Sequence, residues 1–379
     1  MTREELNNEL RMQCLNIPDL ALPQFDAIEQ SLKSLPEDKL AGVDQIIVTG
    51  CGDSYIAAEV SEEVFWKYLR GTGVRMFYLK AIEAARFARY EGERTLVIAI
   101  SASGGPRRIR EILERGNDHG CLTMAVTNNT ESPAAKAAQL VLYVNTPPYE
   151  ARIPGLRSYF ASLLALDLLA VRIGQLRGSV PEGEMKRIRS ELEAYSDRFR
   201  QAMDVIDEKA FETAEKWQEK KAFEVIADGP LYGSAEFIVA KFAEVSGDKA
   251  TYVDSEDYCH VSTYFYPREA IGTIYVADST APAASRVKET VFQAAGDGRD
   301  ILFVSDSGKE GFGIEEDIDV LTIPAPYQEF RFLYSLFSYI PGSILAGYRA
   351  GLIGEKFFRA DRPLYREVDT ISTSQIKII

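Results

Sequence analysis

Short apolar runs alternate along most of this chain with longer amphipathic stretches. The runs at 45–49 (QIIVT), 95–100 (TLVIAI) and 122–127 (LTMAVT) show little polar alternation. That pattern predicts strands buried on both faces of a parallel sheet rather than strands with one wet face. Weaker runs at 75–78 and 140–144 join them, with a helical pattern at 81–90 and loop-to-helix sequences after residues 50, 100 and 127. The same rhythm returns at 223–227, 251–253, 271–277, 300–305 and 320–323, with helices predicted at 284–294 and 328–350. Two helical stretches, 3–14 and 21–35, open the chain, and long helical material at 159–173 and 182–221 separates the rounds. Strands alternating with helices predict α/β architecture. The expected fold is two doubly wound, parallel-sheet, flavodoxin-like three-layer domains produced by internal duplication. The boundary is expected within 185–215, with the first domain at 1–200 and the second at 201–379.

Composition narrows the function classes. The 379 residues are 46% hydrophobic and 26% charged, suited to two globular domains. A net charge of −14 and the absence of a long basic run argue against a nucleic-acid partner. The most apolar stretch, 159–171, contains Asp167 and ends at Arg172, so it reads as a buried or interface helix and not a membrane span. The opening MTREELNNEL lacks an apolar signal core, and a cytoplasmic location is expected. Two histidines and four cysteines without ligand spacing predict no metal and no cofactor. Cys51 and Cys121, at or near strand ends, are expected to be buried reduced thiols. Gly50–Cys51–Gly52 is followed by Tyr55 where a dinucleotide fingerprint needs its third glycine, and Gly104–Gly105–Pro106 lacks the Lys-Ser/Thr of a nucleoside-triphosphate loop.

Chemistry is expected at the carboxyl ends of the strands, where such sheets bind ligands. Ser101, Ala102, Ser103 and Gly104 follow an apolar strand and precede a helix, so hydroxyls, glycine turns and free amides suit a small dianion. Arg107 and Arg108 add charge there; the structural alternative is Ser103 as a helix cap. Cys51, Gly52, Asp53 and Ser54 form a second polar turn, in which Ser54 contacts a phosphate or caps its helix and Asp53 faces a sugar hydroxyl. In the third loop, Asn128 and Ser132 either bind ligand or build an Asx turn and cap. Glu244, near the end of a helix, and His260, in an irregular stretch, are acid–base candidates. Their bland readings are a surface carboxylate and a packed histidine.

These pieces together resemble the SIS (sugar isomerase) family, whose double-SIS members include the isomerase portion of glucosamine-6-phosphate synthase and the fructosamine-6-phosphate deglycases. GCGDSYIAAEV is similar to the family's Gly-x-Gly-x-Ser-Tyr-x-Ala opening, ISASGG to its Ile-Ser-x-Ser-Gly loop, and VTNNTESPAAKAA to its Thr-Asn-x-x-x-Ser segment. The resemblance covers essentially the whole chain. It implies that Ser54, Ser101, Ser103 and Ser132 surround a phosphosugar, that Glu244 transfers a proton, and that His260 assists ring opening across a homodimer interface. Three departures stand out. Pro106 replaces the loop threonine, His260 is followed by Val261–Ser262 and not Gly-Pro, and Val368, after Asp361–Arg362–Pro363, takes the place of a lysine.

The resulting expectation is a deglycase that cleaves a fructosamine 6-phosphate-type amine adduct to a hexose 6-phosphate and free amine by C1/C2 proton transfer. A phosphosugar aldose–ketose isomerase or an amino-sugar-phosphate deaminase uses the same equipment and is the alternative. A non-catalytic sugar-phosphate sensor would keep the serine loops without needing Glu244.

Overall fold

The computed structural model describes residues 1–148 and 154–359. Its strands form two five-stranded sheets. The first comprises β1 (Gln45–Gly50), β2 (Arg75–Lys80), β3 (Thr95–Ile100), β4 (Leu122–Thr127) and β5 (Leu140–Tyr143), in the order β2-β1-β3-β4-β5. The second comprises β6 (Ala222–Ala227), β7 (Lys249–Val253), β8 (Ile271–Ala277), β9 (Asp300–Ser305) and β10 (Asp319–Thr322), in the order β10-β9-β8-β6-β7. Every strand pair is parallel. Each order reverses once beside its first strand, between β1 and β3 in one sheet and between β6 and β8 in the other. These are two doubly wound α/β domains, as the pattern of apolar runs predicts.

Two compact units hold the sheets. One contains the described residues of Leu20–Tyr149 and Arg157–Ser190; the other contains those of Met1–Asp19, Glu150–Leu156 and Glu191–Glu367. In the first, all six residues of β1, β3 and β4 are buried, whereas edge strand β2 alternates with solvent. Covering both faces of the central strands requires apolar side chains at every position, which is why these runs lack alternation. In that unit Ile109, Ile112 and Leu113 of the helix Arg107–Asp118 pack with Val97, Ala99 and Ala125. The second sheet repeats the device: Val287, Val291 and Ala294 of the helix Ala284–Gly296 pack with Tyr275 and Phe303.

Three expectations change. The two opening helices are one, Glu9–Lys33, which runs through Pro18 and Pro23. Leu10, Cys14, Ile17, Ala21, Phe25, Ile28 and Leu32 recur at helical spacing and are all buried. The burial of that stripe offsets the hydrogen bonds the prolines remove. The aromatic tail is two elements, 3₁₀ turns at Gln328–Leu336 and an α-helix at Ile340–Ile353. Pro341, lacking an N–H, suits the first turn of a new helix better than the interior of a continuing one. Phe332, Tyr334, Phe337 and Tyr339 are core, whereas Tyr327 is exposed. Finally, Cys121 is buried but Cys51 is exposed, because the chain leaves the sheet at Gly50 and Cys51 begins the turn.

The helix Leu156–Leu176 is long and apolar enough to cross a membrane, and most of its apolar stretch is buried within the protein. Asp167 on this helix is 1% exposed, and neither of its carboxylate oxygens has a hydrogen-bond partner.

Candidate functional site

The loops after β1, β3 and β4 lie side by side at the carboxyl edge of the first sheet. Pairing of Gly50 with Ile100, and of Ile100 with Val126, puts Cys51 beside Ser101 and Ser101 beside Thr127. This is the switch point where doubly wound sheets bind ligands. Gly50 permits the turn, since a Cβ there would lie 2.6 Å from the Ser54 backbone. Gly104 has φ +62°, and a Cβ on it would lie 2.0 Å from Ser132 Oγ. The second and third loops therefore meet at a contact that only glycine allows.

The serines play different parts. The Gly104 N–H donates to Ser101 Oγ (3.1 Å), and the Gly105 N–H donates to Ser103 Oγ (3.3 Å). Ser103 is exposed and builds this turn; it does not cap the following helix. Ser132 is buried and caps the helix Pro133–Ala137, accepting from the Ala135 N–H at 3.1 Å. The half-buried Ser54, in the first turn of the helix Asp53–Val60, has no side-chain partner among the described residues. A hydroxyl that accepts from an amide still has its own proton to donate, so Ser101, Ser103 and Ser132 keep donors for an anion. Ala102 lends its carbonyl to the Asn128 N–H (2.9 Å) and to the Thr127 hydroxyl (3.2 Å). Asn128 braces the chain beyond β5: its amide donates to the Thr146 carbonyl (3.0 Å) and its oxygen accepts from the Thr146 N–H (2.7 Å). Gly52 and Asp53 start the first helix, and Arg107 starts the third-strand helix.

Glu244 and His260 belong to the other unit. Glu244 sits in a π-helical turn, Phe242–Ser246, that ends the helix Tyr232–Lys241. Such turns are frequent at functional sites. Its Oε2 is 2.5 Å from Nζ of Lys241, a fully buried ammonium that also lies 4.4 Å from the centre of the Phe237 ring. Sequence reasoning passed over Lys241, whose three-residue spacing from Glu244 was the available signal. His260 ends a short helix, Ser255–His260, where an irregular stretch was expected; Asp254 caps it by accepting from the Glu256 and Asp257 N–H groups. The imidazole is exposed, with Nε2 2.9 Å from Glu256 Oε1. Glu244 is thus held by Lys241 and His260 by Glu256, in turns that pack on different helices. Asp361, Arg362, Pro363 and Val368 lie outside the described residues.

The carboxyl edge of the second sheet has another chemistry. Asp228, Asp278 and Asp306 immediately follow β6, β8 and β9. Arg331 binds both oxygens of Asp278 (2.7 and 2.8 Å) and reaches Asp306 at 2.6 Å. Asp228 accepts from the Ser255 N–H (2.9 Å) and hydroxyl (2.7 Å). Burial opposes the charge on Asp278, but hydrogen bonds from Arg331 and Thr280 outweigh it and hold the carboxyl below its ordinary range. Among the described residues, no three His, Cys, Asp or Glu side chains are grouped to hold a metal ion.

Residues 39–172 match the SIS domain. That match covers the first sheet, and the second sheet repeats its five-stranded parallel architecture and switch point. The chain is 28% identical over 220 residues to glutamine–fructose-6-phosphate aminotransferase (isomerizing) of Thermococcus kodakarensis, a match covering 57% of this chain and 35% of that protein. The chain spans about a third of the length of the curated relatives it matches. The C-terminal domain of glucosamine-fructose-6-phosphate aminotransferase from Francisella tularensis superposes with a TM-score of 0.80 at 17% identity, covering 92% of this chain and 97% of that one. Tagatose-6-phosphate ketose/aldose isomerase from Escherichia coli superposes with a TM-score of 0.73 at 13% identity, covering 93% and 95%. At these identities the two superpositions establish the fold.

Proposed function

We propose that this protein is an enzyme that moves a proton between C1 and C2 of a hexose 6-phosphate, as an aldose–ketose isomerase or an amino-sugar-phosphate deaminase does. The observation that carries the reading is the Lys241–Glu244 pair. Burying an ammonium opposite a carboxylate costs more desolvation than an apolar pair of similar size, so stability alone is a poor reason for it. A carboxylate in a π-helical turn, held against a buried ammonium at the end of the preceding helix, suits acid–base chemistry.

The phosphate is the fixed handle. Ser54, Ser101, Ser103 and Ser132, with the amides of their turns, bind it, while Asp53 and Asn128 face the sugar. Binding energy from this remote group orients the reacting carbons. Glu244 takes the proton from one carbon and returns it to the other, and the Lys241 ammonium stabilises the negative charge that develops in the enediolate. His260 assists ring opening, in a homodimer if the interface implied by the family resemblance forms. No cofactor, metal or nucleic acid enters the scheme, and a cytoplasmic location suits its substrates. The relatives' names support a phosphorylated ketose as substrate. A fructosamine 6-phosphate would undergo the same proton transfer before water releases its amine, so deglycase activity differs only in the group on the reacting carbon.

An NMR time course in deuterated water tests this with fructose 6-phosphate, with and without ammonium, glucosamine 6-phosphate and fructoselysine 6-phosphate. Wild type is expected to place deuterium at C1 or C2 of one of them, and Glu244→Gln to lose at least about a hundredfold in rate. Equal incorporation by the variant removes Glu244 from the mechanism. Ligand broadening without turnover in either protein makes the chain a sensor instead.

A further inference from the structure

Glu224 on β6 and Arg299, just before β9, form a buried pair for which the proposed reaction has no use. Both side chains are fully buried, and Nη2 of Arg299 lies 3.6 Å from Oε2 of Glu224, too far for a hydrogen bond. Each group bonds elsewhere instead. Thr251 Oγ1 donates to Oε1 of Glu224 at 3.5 Å, and Nη2 of Arg299 donates to the Ser262 carbonyl at 3.0 Å. Oε2 of Glu224 and Nε and Nη1 of Arg299 have no hydrogen-bond partner among the described residues. Charges buried with so few hydrogen bonds cost more desolvation than an apolar pair of the same size. What the guanidinium secures is the chain on either side of His260. It holds Ser262, two residues after the histidine, and lies 5.9 Å from the centre of the Tyr258 ring, two residues before it. Asp297 grips the same places. It accepts from Thr263 Oγ1 at 2.6 Å and from the Tyr258 hydroxyl at 3.5 Å, and Gln293 donates to Thr263 Oγ1 at 3.0 Å. His260 thus stands exposed between buried, anchored neighbours, in a helix of six residues that is too short to hold its shape alone.

We infer that Arg299, backed by Glu224, and Asp297 are positioning residues that hold the turn at Ser262–Tyr264 and so fix where His260 presents its imidazole for ring opening. The inference deepens the proposed function and rests on its assignment of His260. The imidazole is met from the exposed side by Glu256 at 2.9 Å, whose other oxygen lies 2.9 Å from Nε of Arg286. A planar guanidinium bound to a backbone carbonyl fixes the main chain from the buried side. Glu224 supplies the countercharge that a guanidinium needs away from water. A group already in place needs no ordering in the transition state, and a displacement of about 1 Å can cost about a hundredfold in rate.

Deuterium exchange from deuterated water into two substrates tests it: fructose 6-phosphate, and 5-deoxyfructose 6-phosphate, which lacks the hydroxyl that closes the ring. Removing one partner would strand a buried charge, so both are replaced, as Glu224→Leu/Arg299→Met. This double variant should exchange fructose 6-phosphate about 10- to 100-fold more slowly at saturation with KM unchanged, and the acyclic analogue at the wild-type rate. A merely structural role slows both alike. Thr263→Val removes the Asp297 contact and leaves the buried pair in place. It should show the same pattern at about 3- to 10-fold, and it carries the test if the double variant does not fold. The two histidines of the chain give a second readout by NMR. The His260 signals should shift or broaden in both variants, while those of His119, in the other unit, stay as in wild type. Loss of rate with both substrates, a wild-type rate with fructose 6-phosphate, or unmoved His260 signals overturns the inference and leaves Glu244 as the proton carrier. A wild type that exchanges into neither substrate overturns the phosphosugar reading together with it.

Discussion

The two sheets share strand order, parallel pairing and a switch point, yet their carboxyl edges carry opposite chemistry. At the first, Cys51, Ser101 and Asn128 follow the three strands, and hydroxyls and amides line the turns. At the second, Asp228, Asp278 and Asp306 occupy the corresponding places, and Arg331 closes over two of them. The two sheets share the buried apolar frame, while the residue just past each strand differs between them. That residue lies past the strand ladder, so the register of the sheet does not dictate its side chain. The proposed phosphate site therefore lies at one edge, and the other is occupied by the protein's own arginine.

The largest expected effect comes from removing that arginine. Arg331→Ala leaves Asp278 and Asp306 mostly buried without their cation, and should cost about 3–5 kcal/mol of stability in its unit. The cost has a pH signature. The folded carboxyl of Asp278 titrates below its ordinary value, so its contribution is complete above about pH 4 and is lost as pH falls through the depressed folded value. Urea denaturation from pH 7 down to pH 2.5 should show wild type losing stability through this window and the variant losing less. A loss under about 1 kcal/mol at pH 7 would mean that Arg331 does not neutralise the second edge.

Transplanting a carboxylate to the first edge probes the contrast from the other side. Ser103 is exposed, so Ser103→Asp should leave stability within about 0.5 kcal/mol. Its charge should nonetheless repel a phosphate, weakening fructose 6-phosphate binding about a hundredfold, against about tenfold for Ser103→Ala. Calorimetry that finds the two variants equal would show that the phosphate binds elsewhere.

How much of this was legible before the structure differs between frame and site. The central strands were readable because burial on two faces leaves an unbroken apolar run, as in Thr95–Ile100. The serine turns were readable because strand, small residues and helix succeed one another within a few positions. Arg331 was hidden by distance along the chain, since it meets Asp278 across 53 residues. Glu224 and Arg299 were hidden because a buried carboxylate or guanidinium has the same letter as a solvated one. Lys241 was missed for the same reason: the segment reads as an ordinary apolar helix, and full burial of its ammonium is a property of tertiary packing.

The smallest expected effect compares a lone buried carboxyl of the first unit with the paired ones of the second. Asp167 has no hydrogen-bond partner, and burial, with a smaller contribution from Glu63, pushes its carboxyl well above the ordinary range. A folded value above the unfolded one means that wild type gains relative stability in acid and loses it as pH rises from about 4 towards the folded value. Asp167→Asn keeps the shape and removes the titration. It should therefore be more stable than wild type by about 1 kcal/mol at pH 7, with the difference closing below pH 4. Melting curves of the two proteins across pH 3.5–8 measure that difference directly. A variant less stable than wild type at every pH would mean that the carboxyl has a partner after all, and the contrast between one unpaired acid and three paired ones would fail.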